Sequence, residues 1–405
     1  MPETAPNGDE SGSVAPKRKG RSKRRHTVLK VVAASVVALA LVTGLATTFA
    51  YRHLNGNITN KDYFGEAAVE PALEKPKVEG PKEPLNILVM GSDTRAGEGN
   101  AIDNETGQGS DTTILIHLSA DRQRAYGISI PRDSLVDRPD CKRDGEIVPG
   151  SNDVMWNEAF NLAGPGCTIS QFEQTTDVAV DHYVVLDFQG FQDMVDAVDG
   201  VKVCIPETVD DREHGIYLEA GTRDIRGKEA LSYVRQRYAV GNGSDIGRLK
   251  RQQAFMSSMV NKVVSANTLA NPVTLFRFLD AATNSLTVDE GLSNLTKMAK
   301  LGIQFQDIGL GKIQFSTIPN GPDPDDPNRV RWLPAADRVW ANIDDDEPLT
   351  VRQSSEAISA NEVPTTDAPS GSASPGGGQS PTESPAARPS DEAAAEAAEA
   401  AGLCT

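Results

Sequence analysis

The sequence predicts an α/β protein: a layered sandwich with a central mixed sheet flanked by helices, forming one extracellular domain behind a single N-terminal transmembrane helix. Three observations lead there. Short apolar runs of strand length alternate with helix-period patterns between residues 85 and 320, the arrangement that layers helices over a sheet. An uninterrupted stretch of apolar or small residues, Val31 to Ala50, precedes them. Both ends of the 405-residue chain are poor in large apolar residues, leaving roughly 260 residues for one large domain, enough for a full core.

Taken in order, residues 1–30 form a basic tail containing Lys17-Arg-Lys-Gly-Arg-Ser-Lys-Arg-Arg25. The apolar stretch that follows, bounded at 31–51, would span about 30 Å as a helix, the thickness of a hydrocarbon core. With the bases on its N-terminal side, the positive-inside rule places residues 1–30 in the cytoplasm and everything after Tyr51 outside. The competing reading is a cleaved signal peptide with Thr48 and Ala50 before the cut; the long apolar run and long charged leader favour the span. No helix-turn-helix pattern surrounds the bases, and a net charge of −17 with a pI near 4.8 argues against a nucleic-acid partner. Residues 52–84 read as a spacer, with prolines at 71, 76, 81 and 84 lifting the domain from the lipid.

The domain is bounded at 85–345. Leu85-Asn-Ile-Leu-Val-Met90 is a buried-strand run ending in Gly91-Ser-Asp; 112–118 and 124–130 are two more strands joined by a tight turn. Helical patterns follow at 170–177, 188–198, 227–234, 247–265, 272–284 and 289–302, with strands expected at 183–187, 201–205 and 312–318. There is no internal repeat. Residues 346–405 turn to Ser, Pro, Gly, Ala and Thr and read as a disordered tail ending near Cys404.

The cysteines fit an exported domain. Cys141, Cys167, Cys204 and Cys404 form no Cys-x-x-Cys pair, so disulfides are the default, with three pairings open. Cys141 and Cys167 both lie in Gly/Pro/Asp-rich loops flanking one short segment, which favours that pair and leaves Cys204 with Cys404. A free, buried Cys204 in the apolar run Val201-Lys-Val-Cys-Ile205 is the alternative.

Acidic and guanidinium groups recur beside glycine turns and strand ends, the pattern of a site holding a metal and a polyphosphate. Asp93 follows a strand and a glycine; Asp111 immediately precedes the next strand. Two neighbouring carboxylates repel unless a cation or shared proton lies between them, and Mg²⁺ suits such a pair, although either Asp could simply cap a turn. Arg132 lies in Ile130-Pro-Arg-Asp-Ser134 at a strand end, where ligands of α/β sheets bind, and Asp133 either binds a ligand or orients Arg132 through an ion pair, the second being favoured. Arg235 and Arg237, two apart, share a side only on an extended segment, so the 227–234 helix should unwind there. Ser244 or Asp245 can cap the next helix, whose N-terminus favours anions and carries Arg248 in its first turn and Arg251 one turn on. The bland reading of this cluster is a solvated basic face; the Gly241-Asn-Gly243 loop favours a shaped pocket. Lone His117 and His182 read as structural, and Trp332 and Trp340 as packing residues.

At this point the residues resemble a family. Asn86-Ile-Leu-Val-Met-Gly-Ser-Asp-Thr-Arg95, Ser110-Asp-Thr112, Ser129-Ile-Pro-Arg-Asp-Ser134, Val234-Arg-Gln-Arg237 and Asp245-Ile-Gly-Arg248-x-x-Arg251-Gln-Gln253 resemble, in order and spacing, the LytR-CpsA-Psr proteins, with the core motifs over 86–264. The resemblance implies a membrane-anchored transferase of Gram-positive envelopes. Such an enzyme moves a glycopolymer from a polyprenyl-pyrophosphate carrier to peptidoglycan through a phosphodiester, with possible pyrophosphatase side activity. It further implies that Asp93 and Asp111 hold Mg²⁺, that Arg95, Arg132, Arg235, Arg237 and Arg248 hold the pyrophosphate, and that Asp245 orients the arginines or assists proton removal. Arg132, Arg237 and Asp245 would thus be catalytic. An apolar cavity for the polyprenyl tail is implied without assigned lining. One departure matters: relatives often carry a basic residue before an Asn-x-Ala-aromatic segment, whereas Asn157-Glu-Ala-Phe160 here follows Met155 and Trp156. The loop cysteines and long Pro/Ser tail resemble the actinobacterial branch. The rival readings are a non-catalytic polyprenyl-phosphate or glycan-binding envelope protein, and a membrane-bound regulator. The polymer, which could be arabinogalactan, teichoic acid, capsule or a protein-linked glycan, is not legible.

Overall fold

The structure, a computed structural model, describes residues 23–64, 73, 82–92, 110–211, 215–236, 245–265, 268, 270–350, 353, 357–362, 364 and 403–404, with the side chains of residues 23–26, 111 and 245 outside the description. Asp93, Arg95, Arg237, the Gly241-Asn-Gly243 loop, Ser244 and most of the expected tail lie outside the described residues. Cα packing separates residues 1–53 from residues 54–405.

In the first unit, helix α1 (Lys23–Asn57, its last turn in the second unit) contains a stretch from Thr27 long and apolar enough to cross a membrane, its most apolar part wholly unburied. Helix α1 extends the expected 31–51 span at both ends.

The second unit is built on a mixed sheet. Its strands are β1 (Thr59–Asn60), β2 (Leu85–Ser92), β3 (Ser110–Leu118), β4 (Ala125–Ile130), β9 (His182–Asp187), β14 (Leu286–Val288), β15 (Ile313–Thr317) and β18 (Ile358–Ser359), in the order β1-β14-β9-β2-β3-β4-β15-β18. β2 runs parallel to β9 and antiparallel to β3; β3 is antiparallel to β4, and β4 parallel to β15. β2, β4, β9 and β15 therefore all deliver their C-terminal ends to one edge. The central strands are apolar on both faces, every residue of β4 being buried, as expected of a sheet covered on each side.

The helices are α2 (Glu158–Thr176), α3 (Phe188–Ala197), α4 (Gly227–Arg235), α5 (Asp245–Val264), α6 (Pro272–Ser285), α7 (Leu295–Ile308) and α8 (Pro334–Asp344). On one side of the sheet, Leu88, Met90 and Leu115 pack with Trp156, Phe172, Val339 and Trp340. On the other, Ile87 and Phe315 pack with Ile308, Met256 and Val260. A third core joins β10 (Val201–Ile205) and β13 (Gly221–Ile225) to α3, α4 and α5 through Val195, Leu231 and Phe255.

Several expected boundaries move. The spacer begins later than residue 52, because residues 54–64 are taken into the folded unit. Leu54 is buried, Asn57 Nδ2 donates to Asp280 Oδ1 at 3.0 Å, β1 pairs with β14, and Tyr63 and Phe64 pack on Tyr183. The domain also passes residue 345: β18 adds an edge strand to β15, and Ala360 is buried with its N–H on the Ile313 carbonyl at 2.9 Å. The helix expected at 170–177 starts earlier, just past Gly164, whose φ of 77° kinks the Glu158–Thr176 stretch into two helical pieces before Pro165. The pattern at 289–302 divides into a 3₁₀ turn, Glu290–Leu292, and α7, which restarts where the Asn294 side chain accepts from Lys297 N–H. The chain between Leu135 and Met155, unassigned by periodicity, forms two hairpins, β5 (Leu135–Arg138) with β8 (Ser151–Met155) and β6 (Cys141–Arg143) with β7 (Glu146–Val148).

Both favoured disulfides are present. Cys141 and Cys167 are bonded with Cα atoms 5.4 Å apart, and Cys204 and Cys404 at 5.8 Å. Neither residue of the first pair is in a loop: Cys141 belongs to β6 and Cys167 to α2, each fully buried. The free-Cys204 alternative falls with the second bond.

Candidate active site

The shared C-terminal edge of the sheet gathers the predicted residues. Gly91 near the end of β2 faces Thr112 at the start of β3, and a bulge between Gly91 and Ser92 sets Ser92 opposite Ser110. The approach is close: a Cβ at residue 91 would meet Thr112 Cβ at 3.3 Å. On the other flank Ser92 is registered with Asp187, the last residue of β9. The segment leading into Asp93 is thus bracketed by β3, which carries Asp111, and by Asp187. The side chains of both candidate metal ligands lie outside the described residues. What the backbone register supplies is adjacency of the strand ends that bear them, and a pair of carboxylates is a donor set suited to a hard divalent cation.

A cleft of about 570 Å³, counting its open mouth, begins at Gly91 and Thr112 and runs between α3, α4 and α5. Its apolar walls are Leu186, Phe188, Phe191, Leu231, Val234, Phe255 and Met256; its polar groups are Asp187, Arg235, Arg248 and Gln252. Arg235 is the last residue of α4. Gln236 then turns to ψ of 132°, so the helix unwinds where the arginine spacing required. The Arg235 guanidinium lies over the Phe188 ring, 4.5 Å from its centroid, a cation–π geometry that fixes the charge over an apolar wall. Arg248 is in the first turn of α5 and only 3% exposed. Free N–H groups of a helix start add to the attraction for an anion there.

The residues after Arg248 position the site. Arg251 is fully buried and its Nη2 donates to the Gln236 carbonyl; Gln252 Nε2 donates to the Val234 carbonyl at 3.1 Å. Both therefore hold the backbone on either side of Arg235. Burial lowers the Arg251 pKa, with Tyr233 opposing. Gln253 crosses to the sheet edge and donates to Ser129 Oγ at 3.2 Å and Thr317 Oγ1 at 2.7 Å, at the ends of β4 and β15.

Arg132 leaves the same edge after β4, two strand spacings or about 10 Å from β2, and is not among the cleft-lining residues. Its turn is strapped from two sides. Asn157 N–H reaches the Arg132 carbonyl at 3.3 Å and Trp156 N–H the Ser134 carbonyl at 2.8 Å; Val330 N–H reaches the Asp133 carbonyl at 3.2 Å, and Trp332 Nε1 the Ser134 Oγ at 3.1 Å. Asp133 pairs with Arg132 at 3.7 Å, so the orienting role favoured for it matches the geometry.

The remaining singled-out residues are structural. His117 bonds Asn86 Oδ1 at 2.8 Å and Asp346 Oδ1 at 3.1 Å; His182 bonds Asp289 Oδ2 at 2.9 Å. Trp332 and Trp340 stack with Trp156 and Phe172 in one buried aromatic cluster. Asp187, Phe188, Gln252 and the aromatic wall were missed by motif reading. The strand end at 187 was the available signal, because a parallel neighbour of β2 must open on the same edge.

The C-terminal edge of the α/β sheet thus opens into a cleft that combines guanidinium groups with apolar walls. The model of the LytR_cpsA_psr family matches residues 47–339, and the chain belongs to this family. Cell wall biosynthesis protein LcpA of Corynebacterium glutamicum is 33% identical over 261 residues, 58% of this chain and 49% of that protein, in keeping with the actinobacterial type. The polyisoprenyl-teichoic acid–peptidoglycan teichoic acid transferase TagT of Bacillus subtilis is 28% identical over 259 residues, 62% of this chain and 75% of TagT. The chain thus spans about half the length of the corynebacterial relative. A solved LytR-Csp2A-Psr enzyme from Actinomyces oris superposes with a TM-score of 0.51 at 22% identity, covering 68% of this chain and 96% of that one, and shares the fold.

Proposed function

We propose that the protein is a membrane-anchored phosphotransferase moving a glycopolymer from a polyprenyl-pyrophosphate carrier to peptidoglycan through a phosphodiester. The observation that carries this reading is the mixed lining of the cleft, where Arg235 and Arg248 share one cavity with seven apolar residues. Such a lining suits a diphosphate joined to a long hydrocarbon chain and suits a soluble nucleotide poorly. The apolar helix at the N-terminus would keep the domain beside its lipid substrate, with the basic tail cytoplasmic and the domain outside.

In this mechanism Arg132, Arg235, Arg237 and Arg248, with Arg95, bind the diphosphate oxygens and offset the charge that grows on the departing polyprenyl phosphate. The bond from the sugar-linked phosphorus to the bridging oxygen breaks as one to a peptidoglycan hydroxyl oxygen forms, and the hydroxyl proton is lost to a base, Asp245 being the candidate. No protein nucleophile is required. Asp93 and Asp111 would hold Mg²⁺, which when bound supplies charge neutralisation at the phosphate oxygens.

The test is phosphate release from a polyprenyl-diphosphate substrate by the purified full chain, with and without Mg²⁺, alongside mass spectrometry of lipid co-purifying from membranes. Arg132→Ala or Arg237→Ala should reduce turnover by roughly 100- to 1000-fold, the loss typical of one preorganised charge. Near-wild-type turnover in both variants ends the catalytic assignment, and lipid capture without cleavage identifies a binding protein instead.

A further inference from the structure

Gln236 stands between Arg235 and Arg237 and has no side-chain role in the site described above. It is 3% exposed, and with φ of −57° and ψ of 132° it carries the chain out of α4 in an extended conformation. Successive side chains of an extended chain point to opposite sides, and Arg235 and Gln236 part accordingly. Arg235 lies over Phe188 in the cleft wall; Gln236 is not among the cleft-lining residues, and its Nε2 donates to Asp211 Oδ2 at 3.2 Å. Asp211 ends β11 (Val209–Asp211), which pairs with β12 (Ile216–Leu218). The register sets Val209 opposite Leu218 and Asp211 opposite Ile216, so these four side chains share one face of the strand pair. Val209 and Leu218 are buried there, in the core that also holds Leu231 and Val234 of α4. The strand pair is thereby fixed to the helix that ends in Arg235.

We infer that Gln236 is a positioning residue for Arg235, tying the arginine segment to the β11–β12 pair through Asp211. This rests on the diphosphate-binding role proposed above for Arg235. Two further side-chain bonds reach the segment, from Arg251 to the Gln236 carbonyl and from Gln252 to the Val234 carbonyl, and both come from α5. Bonds from a single element to two carbonyls fix the line along which the backbone runs but leave it able to roll about that line. An anchor on a second element removes the roll, and with it the swing of the Arg235 side chain. An amide suits the task, because Nε2 makes a charge-assisted bond to the carboxylate while Gln236 adds no charge of its own beside the guanidinium.

The test uses the full chain in detergent and a short prenyl diphosphate, with kcat and KM measured for phosphate release. Gln236→Leu should raise KM about five-fold, a coupling ordinary for side chains in contact, with kcat little changed. Asp211→Ala should raise KM by a similar factor even though it removes a negative charge from the surroundings of the arginines, a change that through charge alone would tighten the binding of an anion. The double variant should be no worse than either single one. Asp211 is only partly buried, so if Gln236→Leu does not fold, the sign of the Asp211→Ala effect decides alone. A lower KM in Asp211→Ala, additive effects in the double variant, or a fall in kcat at unchanged KM in Gln236→Leu overturns the inference while leaving the transferase reading intact. A wild-type chain that neither binds nor cleaves the prenyl diphosphate removes the transferase reading, and this inference with it.

Discussion

Phe188→Leu tests whether the cleft presents the Arg235 charge for use on a ligand. The guanidinium sits 4.5 Å from the ring centroid, and leucine would preserve an apolar wall while removing the π face beneath the cation. Contacts of this kind contribute about 0.5–1 kcal/mol when exposed and about 2 kcal/mol when desolvated. Arg235 is partly buried, which places the effect near 1 kcal/mol, or roughly five-fold in substrate affinity within a range of about 2- to 30-fold. The assay is KM for a prenyl diphosphate, repeated in an Arg235→Ala background. If Phe188 acts by holding Arg235, its substitution costs affinity in the first background and almost none in the second. An equal penalty in both makes Phe188 merely a wall for the lipid tail and refutes the reasoning.

Three further outcomes follow from single contacts. Cys167→Ala, which opens a loop of 26 residues between two buried positions, should lower unfolding free energy by about 2–4 kcal/mol in urea titrations; a change below about 1 kcal/mol would show that the hairpin region is held by packing alone. Gln253→Leu abandons the buried Ser129 hydroxyl and the partly buried Thr317 hydroxyl at the sheet edge and should cost about 1–3 kcal/mol of stability, read from the same titrations. Burial tends to raise the Asp346 carboxyl pKa, but the hydrogen bonds from His117 and Ala120 N–H, with the nearby Arg124 charge, outweigh it and hold the pKa below the usual carboxylate value. A depressed folded-state pKa contributes stability that is present above the unfolded value, about 3.9, and is lost as pH falls through the lowered one. The stability gap between wild type and Asp346→Asn should therefore be constant near neutrality and shrink below about pH 4; a gap that widens on acidification contradicts this sign.

What the sequence made legible were features written in local periodicity or paired spacing. The Leu85 to Met90 run had to be a buried strand, the helix that carries Arg235 had to end close to it, and the cysteine placement already favoured the bonds that formed. What stayed hidden depends on pairings distant in the chain. β1 and β18 have only two residues each and acquire strand character solely from β14 and β15, so no periodic signal precedes their docking. For the same reason the boundaries at 52 and 345 were drawn too tightly. The cleft was half legible: its arginines announce themselves by motif, while Phe188, Phe191 and Phe255 look like ordinary core residues until α3, α4 and α5 leave a gap between them.

The departure at residue 156 acquires a physical meaning from this geometry. Where relatives often carry a basic group, Trp156 turns its indole inward, 1% exposed, with Nε1 donating to Thr113 Oγ1 at 3.1 Å. Its backbone N–H straps the Ser134 carbonyl, so the residue takes part in the hold on the Arg132 turn without adding a charge to it. A further cation nonetheless reaches the Arg132 turn: Arg329, from a segment almost 200 residues away by sequence, stands 3.7 Å from the Asp133 carboxylate. The charge at this strand end is thus set by tertiary contact, and a variant such as Trp156→Lys would have to bury an ammonium beside Phe172 and Trp332. Burial of that kind costs several kcal/mol, so the position cannot regain a basic residue unless the aromatic cluster around it is rebuilt.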